Sequence, residues 1–378
     1  MEKRALQLAS VASMIDQFNM PNIRIMQSLG YKVDVVADFT NPGTITKERA
    51  TLLKKCLADM GVRVIDIAIP RSINIKAILS AYKRVKNLVI SEHYNLIHCH
   101  SPIGGAILRI AARNERKKGT KVIYTAHGFH FYDGAPIKNW LVFYPVEKWL
   151  SRYTDILITI NQEDYKRALY NFKAKKTEYI PGIGIDTQKY RQNINREKIR
   201  KELGLNDSDV MLLSVGELNE NKNHEIVIRA LSKLKERLCY VVVGKGNKEG
   251  YLKKLINELN LQGKVYLVGY RDDVEDFYNA ADVFVFPSFR EGLSVALMEA
   301  MANSLPVVCG KIRGNTDLID DDGGIFFNPH NESSLIEAIH KELSSNYVNQ
   351  GKHNRLIIKS YDLKKVEELI TKAYVSTL

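Results

Sequence analysis

Short apolar runs of strand character alternate with helical segments along the whole chain, and this alternation limits the fold more than any other feature. Seven such runs fall in the first half, at 6–9, 33–37, 64–69, 96–100, 122–125, 156–160 and 178–180. Six more fall in the second, at 211–215, 240–243, 265–268, 283–286, 306–309 and 324–327. Helical composition lies between them, for example at 76–90, 105–117 and 137–153. The runs are apolar at consecutive positions, as strands buried on both faces require, so the pattern predicts α/β architecture with parallel sheets. A length of 378 residues is enough for two cores. Pro181, Gly182 and Gly184, followed by a polar run to Lys201, mark a boundary. The expectation is two doubly wound parallel-sheet domains, residues 1–185 and 186–361, with ligand sites at the carboxyl ends of their strands.

The densest chemistry lies at 287–306. A strand runs into a loop carrying Glu291 and Gly292, Ser294 is placed to cap a helix, and 295–302 has helical composition with Glu299 inside it. The helix mouth offers the backbone amides of Gly292, Leu293 and Ser294 and a partial positive charge to an anion. Gly292 permits close approach. Such a site takes a polyol at Glu291, a phosphate at the amides and a second polyol at Glu299, which is the order of parts in a nucleotide-sugar. On spacing alone, two solvated glutamates at a strand–helix joint would serve equally.

Lys222 follows the strand at 211–215 in a loop where an ammonium can meet a diphosphate. His127 follows another strand end beside Gly128, also a ligand position in such folds. His98 and His100 share one strand face, a metal-compatible pair without a local third ligand, so no metal site is expected. Gly244 and Gly246 lack the spacing of a dinucleotide fingerprint. Asp320 to Asp322 read more simply as an acidic turn than as a metal motif.

Charge is uneven. Residues 1–190 hold 29 Lys+Arg against 16 Asp+Glu, net +13, while 191–378 hold 26 against 27, net −1. The first half therefore suits an anionic partner: an anionic membrane surface or a lipid-diphosphate. No nucleic-acid motif accompanies the charge, and solubility alone is the simpler account. Trp140 and Trp149 lie in a stretch with Lys148 and Arg152 that fits either a core helix or a membrane interface. No apolar stretch is long enough to span a bilayer, and the opening residues read as a first strand rather than a leader. Four scattered cysteines (Cys56, Cys99, Cys239, Cys309) read as reduced thiols of a cytoplasmic protein.

The run from Glu291 through Gly292, Leu293, Ser294 and Glu299 to Pro306 closely resembles the Glu-x7-Glu signature of retaining GT-B glycosyltransferases of glycosyltransferase family four. The resemblance is strong over 210–310, moderate over 95–185 and weak before residue 60. It implies two Rossmann-like domains facing a cleft, with a final helix at 362–378 crossing back to the first. It further implies a glycosyltransferase that moves a hexosyl or N-acetylhexosaminyl group from a UDP-sugar to a saccharide or lipid-linked acceptor, with retention and without metal. His127 and Glu291 match the catalytic positions. Lys222, Arg271, Gly292, Leu293, Ser294 and Glu299 match positions that bind the nucleotide-sugar, the loop at 268–272 cupping the base. The combination at 127–152 resembles enzymes of capsule and exopolysaccharide assembly, which work at the inner face of the plasma membrane. Glu217 stands where the family has an arginine, and the hinge has Gly182 and Ile183 where it has Asn-Gly. The departure at Glu217 keeps a non-catalytic polyanion-binding protein open, and an epimerase of the same fold is the other alternative.

Overall fold

The computed structural model describes residues 2–190, 196–344 and 347–378, the side chains of 347 and 348 excepted. The chain forms two compact units, Met1–Ile183 with Lys364–Leu378, and Gly184–Leu363. The first holds strands β1 (Lys3–Val11), β2 (Tyr31–Asp38), β3 (Arg63–Asp66), β4 (Leu96–His100), β5 (Lys121–Ala126), β6 (Ile156–Thr159) and β7 (Lys176–Tyr179). They form one parallel sheet in the order β3-β2-β1-β4-β5-β6-β7. The second holds β8 (Val210–Val215), β9 (Leu238–Val243), β10 (Val265–Gly269), β11 (Val283–Phe286), β12 (Val307–Gly310) and β13 (Gly324–Phe327), parallel in the order β10-β9-β8-β11-β12-β13. Both sheets reverse direction beside their first strand, the doubly wound pattern expected from the alternation.

Each sheet is covered on both faces, which is why its strands are apolar at consecutive positions. On one face of the first sheet Ile23, Met26, Leu53 and Leu57 pack with Val366, Ile370 and Tyr374 of the helix Leu363–Val375. On the other face Val85, Val89, Leu108 and Tyr124 form the core. The second sheet packs Leu297, Met301 and Phe284 on one side and Val227, Leu255 and Leu335 on the other.

Three elements differ from the periodicity. The run 64–69 pairs only as far as Asp66, whose carboxylate accepts from Phe39 N (3.0 Å), while Ile67 and Ile69 stay buried beyond the ladder. The helix expected at 105–117 starts earlier, with Pro102 in its first turn, and gives way after Ala111 to a short second helix, Arg113–Lys117. Between β1 and the helix Met20–Ser28 the chain makes a π-helical turn, Ile15–Asn19. A Cβ on Gly105 would come within 2.6 Å of the Tyr124 ring, so glycine there lets the helix Pro102–Ala111 settle on the sheet beneath His100. Among the described residues no helix is long and apolar enough to cross a membrane.

Candidate functional site

In the second unit the loop after β11 is tied down at successive points. Phe289 N donates to Asn221 O (2.9 Å), and Asn221 Nδ2 returns a bond to Arg290 O (2.9 Å). Asn223, in the left-handed region at φ 53°, donates from Nδ2 to Pro287 O (3.3 Å) and Pro329 O (3.0 Å). Arg313 Nε donates to Glu291 O (3.2 Å). A Cβ on Gly314 would lie 2.4 Å from Gly292 O, so the two loops touch backbone to backbone. Ser294 then caps the helix Val295–Ala302, its hydroxyl accepting from Leu297 N (3.4 Å).

Onto this frame the fold brings Lys222 and Glu291, 69 residues apart in sequence, as an ion pair at 2.7 Å. The Lys222 ammonium also lies 4.9 Å from the Phe286 ring centroid, and Lys222 N donates to Asn219 Oδ1 (3.0 Å). Both side chains are mostly enclosed, at 19% and 13% exposure. A cation and a carboxylate are therefore held side by side against an aromatic floor, at a helix mouth suited to anions.

Inside the helix, Glu299 accepts from Tyr190 through Oε1 (2.7 Å) and from Tyr278 through Oε2 (2.9 Å). Burial raises its pKa and the two phenols oppose that shift. Each carboxylate oxygen accepts up to two hydrogen bonds, so both keep capacity for a ligand hydroxyl. Arg271 is differently placed. Its guanidinium is spent on Glu202 (2.8 and 3.2 Å) and Asp273 (2.8 Å to each oxygen), over the Phe277 ring. Glu217 is exposed and accepts from Asn219 Nδ2 (3.0 Å). Gly244 and Gly246 are tight backbone contacts: an added Cβ would meet Gly216 O at 1.9 Å and Leu218 O at 2.3 Å, so these positions serve loop packing.

The first unit places His127 at the end of β5, on a small pocket. Phe18, Asn19, His98, His100 and Thr125 share its lining with Ile370 of the last helix. The proton positions are assigned from the hydrogen-bond partners. Met14 O can only accept, so Asn19 turns Nδ2 toward it (2.7 Å), and Asn19 Oδ1 accepts from Gln7 Nε2 (2.9 Å) and Asn22 Nδ2 (3.0 Å). The second Gln7 hydrogen goes to His100 Nε2 (2.7 Å), which must then be unprotonated. His100 carries its hydrogen on Nδ1 and donates it to His127 Nε2 (3.0 Å). Neutral His127 is thereby assigned the Nδ1–H tautomer. Burial pushes His127 down to about 4 and His100 well below the ordinary range, in keeping with neutral rings. His98 is a structural partner: Nδ1 meets Tyr374 OH (2.7 Å) and Nε2 meets Thr125 Oγ1 (2.8 Å).

Sequence reading singled out Lys222, Glu291, Glu299 and His127 and assigned no role to Tyr190, Tyr278, Asn223, Gln7 and Asn19, which the structure sets around them. Asn223, just ahead of a helix, carried a local signal. The others are common residue types whose importance lies in a distant partner. The acidic run at Asp320 is a turn whose first carboxylate meets His353 Nε2 (2.8 Å), with Gly323 N donating to Asp320 O (3.1 Å). Among the described residues no three His, Cys, Asp or Glu side chains gather as a metal site.

Over residues 195–363 the chain matches the family described as "Glycosyl transferases group 1", and over 17–161 the family described as "Glycosyl transferase 4-like". It is 37% identical over 327 residues to EpsD of Bacillus subtilis (strain 168), which carries a glycosyltransferase name, across 85% of this chain and 82% of that one. It is 29% identical over 316 residues to the UDP-Gal:alpha-D-GlcNAc-diphosphoundecaprenol alpha-1,3-galactosyltransferase of Escherichia coli, across 80% and 79%. In fold it is similar to the crystal structure of Anabaena Alr3699/HepE in complex with UDP, with TM-score 0.78 at 19% identity over 99% of this chain and 100% of that one; the shared architecture is GT-B. A doubly wound pair of units, a capped helix mouth beside Lys222 and Glu291, and relatives aligned over most of the chain lead to one conclusion: this protein belongs to the glycosyltransferases, with residues 195–363 matching group 1.

Proposed function

We propose that this glycosyltransferase moves a hexosyl or N-acetylhexosaminyl group from a UDP-sugar to a lipid-diphosphate-linked saccharide in surface polysaccharide assembly, with retention at the anomeric carbon and without metal. The observation that carries the reading is the Lys222–Glu291 pair at the mouth of the helix that holds Glu299. Glu299 accepts from ribose hydroxyls on the oxygens that Tyr190 and Tyr278 orient. Lys222 and the amides of Gly292, Leu293 and Ser294 hold the diphosphate, whose charge competes with one carboxylate for the ammonium. Glu291, released in part, accepts from hydroxyls of the transferred sugar. The backbone at 268–271 cups the base, the Arg271 side chain staying with Glu202 and Asp273. His127, as an Nδ1–H donor, binds a sugar hydroxyl. The anomeric C–O bond to the diphosphate breaks as the acceptor oxygen bonds to the same face, and the acceptor proton passes to the departing phosphate oxygen. Positioning and fixed donors supply the rate.

The donor and acceptor classes, and the α linkage, are supported by the name of the Escherichia coli relative, and UDP also by the HepE complex. The test is UDP release from a panel of UDP-sugars, with and without undecaprenyl-diphosphate-linked sugars, in EDTA, with product anomers assigned by NMR. Glu291→Ala is expected to lower turnover by about 100-fold while UDP still binds. No UDP release with any donor, or a fully active variant, overturns the reading.

A further inference from the structure

The helix Ile137–Leu150 carries apolar residues on its core side and on its solvent side, with Lys138, Asn139, Glu147 and Lys148 among them. One side enters the core, where Trp140 and Tyr144 pack on Phe131, Leu150 is buried and Glu147 pairs with Arg109. The opposite side carries Ile137, Leu141, Val142, Val146 and Trp149, exposed at 78%, 72%, 47%, 48% and 41%. They spread over the half of the helix turned away from the core, with Lys138 and Lys148 interleaved. Five exposed apolar side chains gathered on one short helix mark a partner. On the same sheet face the helix Pro102–Ala111 packs against both this helix and Ile75–Glu92. That second helix exposes Ile75 (70%) and Leu79 (53%) in its first turns. Both helices follow the carboxyl ends of strands, β3 and β5, so this apolar surface adjoins the sheet edge that carries His100 and His127.

The surrounding charge has one sign. Residues 70–152 hold 14 Lys+Arg against 4 Asp+Glu, net +10 of the chain's +12. All four acids are engaged, Glu92 with Arg63, Glu115 with Lys118, Asp133 with Arg167 and Glu147 with Arg109. Lys76, Lys83, Lys138 and Arg152 remain exposed around the apolar side chains.

We propose that this face docks on an anionic phospholipid bilayer, with Ile137, Leu141 and Trp149 entering the headgroup–acyl boundary and Lys76, Lys138 and Arg152 on the headgroups. A second copy would set two strongly positive faces together. A nucleic acid would match the cations but leave the apolar side chains against phosphate. A bilayer satisfies both. The surface deepens the functional reading, resting on it only where the acceptor is lipid-linked.

The test is co-sedimentation of the full chain with vesicles of phosphatidylglycerol and phosphatidylcholine in equal parts, against pure phosphatidylcholine. The chain is expected to sediment with the anionic vesicles alone and to be released by salt. Leu141→Ser with Trp149→Ser, and separately Lys138→Glu with Arg152→Glu, are expected to weaken binding by at least about tenfold. Both are surface changes, and both variants are expected to keep UDP release with a water-soluble acceptor. The proposal is overturned by absent binding to anionic vesicles, by variants that bind equally well, by a dimer in light scattering that the serine variant dissociates, or by RNA that binds while vesicles do not. Loss of soluble-acceptor turnover in the unaltered chain would count against the proposed reaction instead.

Discussion

At the scale of single residues, Lys222, Glu291, Glu299 and His127 each take their properties from a neighbour remote in sequence. Glu299 was legible from a helix-mouth pattern, but Tyr190 and Tyr278, which orient its two oxygens, were not. Glu299→Ala is expected to weaken UDP affinity by at least about tenfold, and Tyr190→Phe by only a few-fold, since a charge-assisted bond contributes more than the donor that orients it. Isothermal titration with UDP checks both, and unchanged affinity for Glu299→Ala removes the ribose role. The histidines carry a pH dependence. Burial pushes His98 to about 3 and His127 to about 4 against an ordinary 6.5. Below about 6.5 the unfolded chain binds protons that the folded first unit does not, so stability present above that pH is lost progressively as it falls toward 4. Glu299, raised, and Glu342, raised to about 7, act in the opposite sense on the second unit. The two are separated by hydrogen exchange: amides of β4 and β5 are expected to lose protection, after correction for intrinsic rates, between pH 7 and pH 5. Equal or greater protection at pH 5 contradicts the burial argument.

At the scale of elements, boundaries were most legible where local chemistry defines both ends. The helix Val295–Ala302 has its serine cap and its length as composition indicated, because an N-cap is a property of neighbouring residues. Ser294→Ala is expected to cost about 1 kcal/mol and to raise the KM for the donor as the Glu291 loop loosens. Chemical denaturation and initial rates measure the two effects, and a variant as stable as the parent shows that the cap is dispensable. The π-helical turn Ile15–Asn19 carried no such signal. It directs Asn19 onto Gln7, and that need comes from the other side of the unit's core rather than from the turn's own residues. The helix Ile137–Leu150 was ambiguous for a related reason. Its composition fits a core or an interface, and the fold turns Trp140, partly buried, onto the core while Trp149 stays at the surface.

At the scale of the whole molecule, the last helix belongs to the first unit although it follows the second in sequence. Its Val366, Ile370, Ala373 and Tyr374 are buried on the first sheet, and Tyr374 OH meets His98. Ending the chain at Leu363 therefore uncovers that core. The expected loss is roughly 5 kcal/mol from the uncovered side chains alone, a fall of about 10 °C or more in the melting of the first unit. Scanning calorimetry of the shortened chain checks this, and an unaltered first transition would mean the helix is an accessory. The alternation of apolar runs and helices determined two doubly wound parallel sheets without help from the structure, since strands buried on both faces and amphipathic crossovers are written in consecutive residues. The helix mouth at Ser294 was determined in the same local way. Only the tertiary structure decided that Lys222 meets Glu291, that two tyrosines hold Glu299, that Gln7 orients His100 and so His127, and that one side of the helix Ile137–Leu150 stays in solvent. Those are pairings across tens or hundreds of residues, and their energy arises from proximity and burial, which no stretch of sequence carries alone.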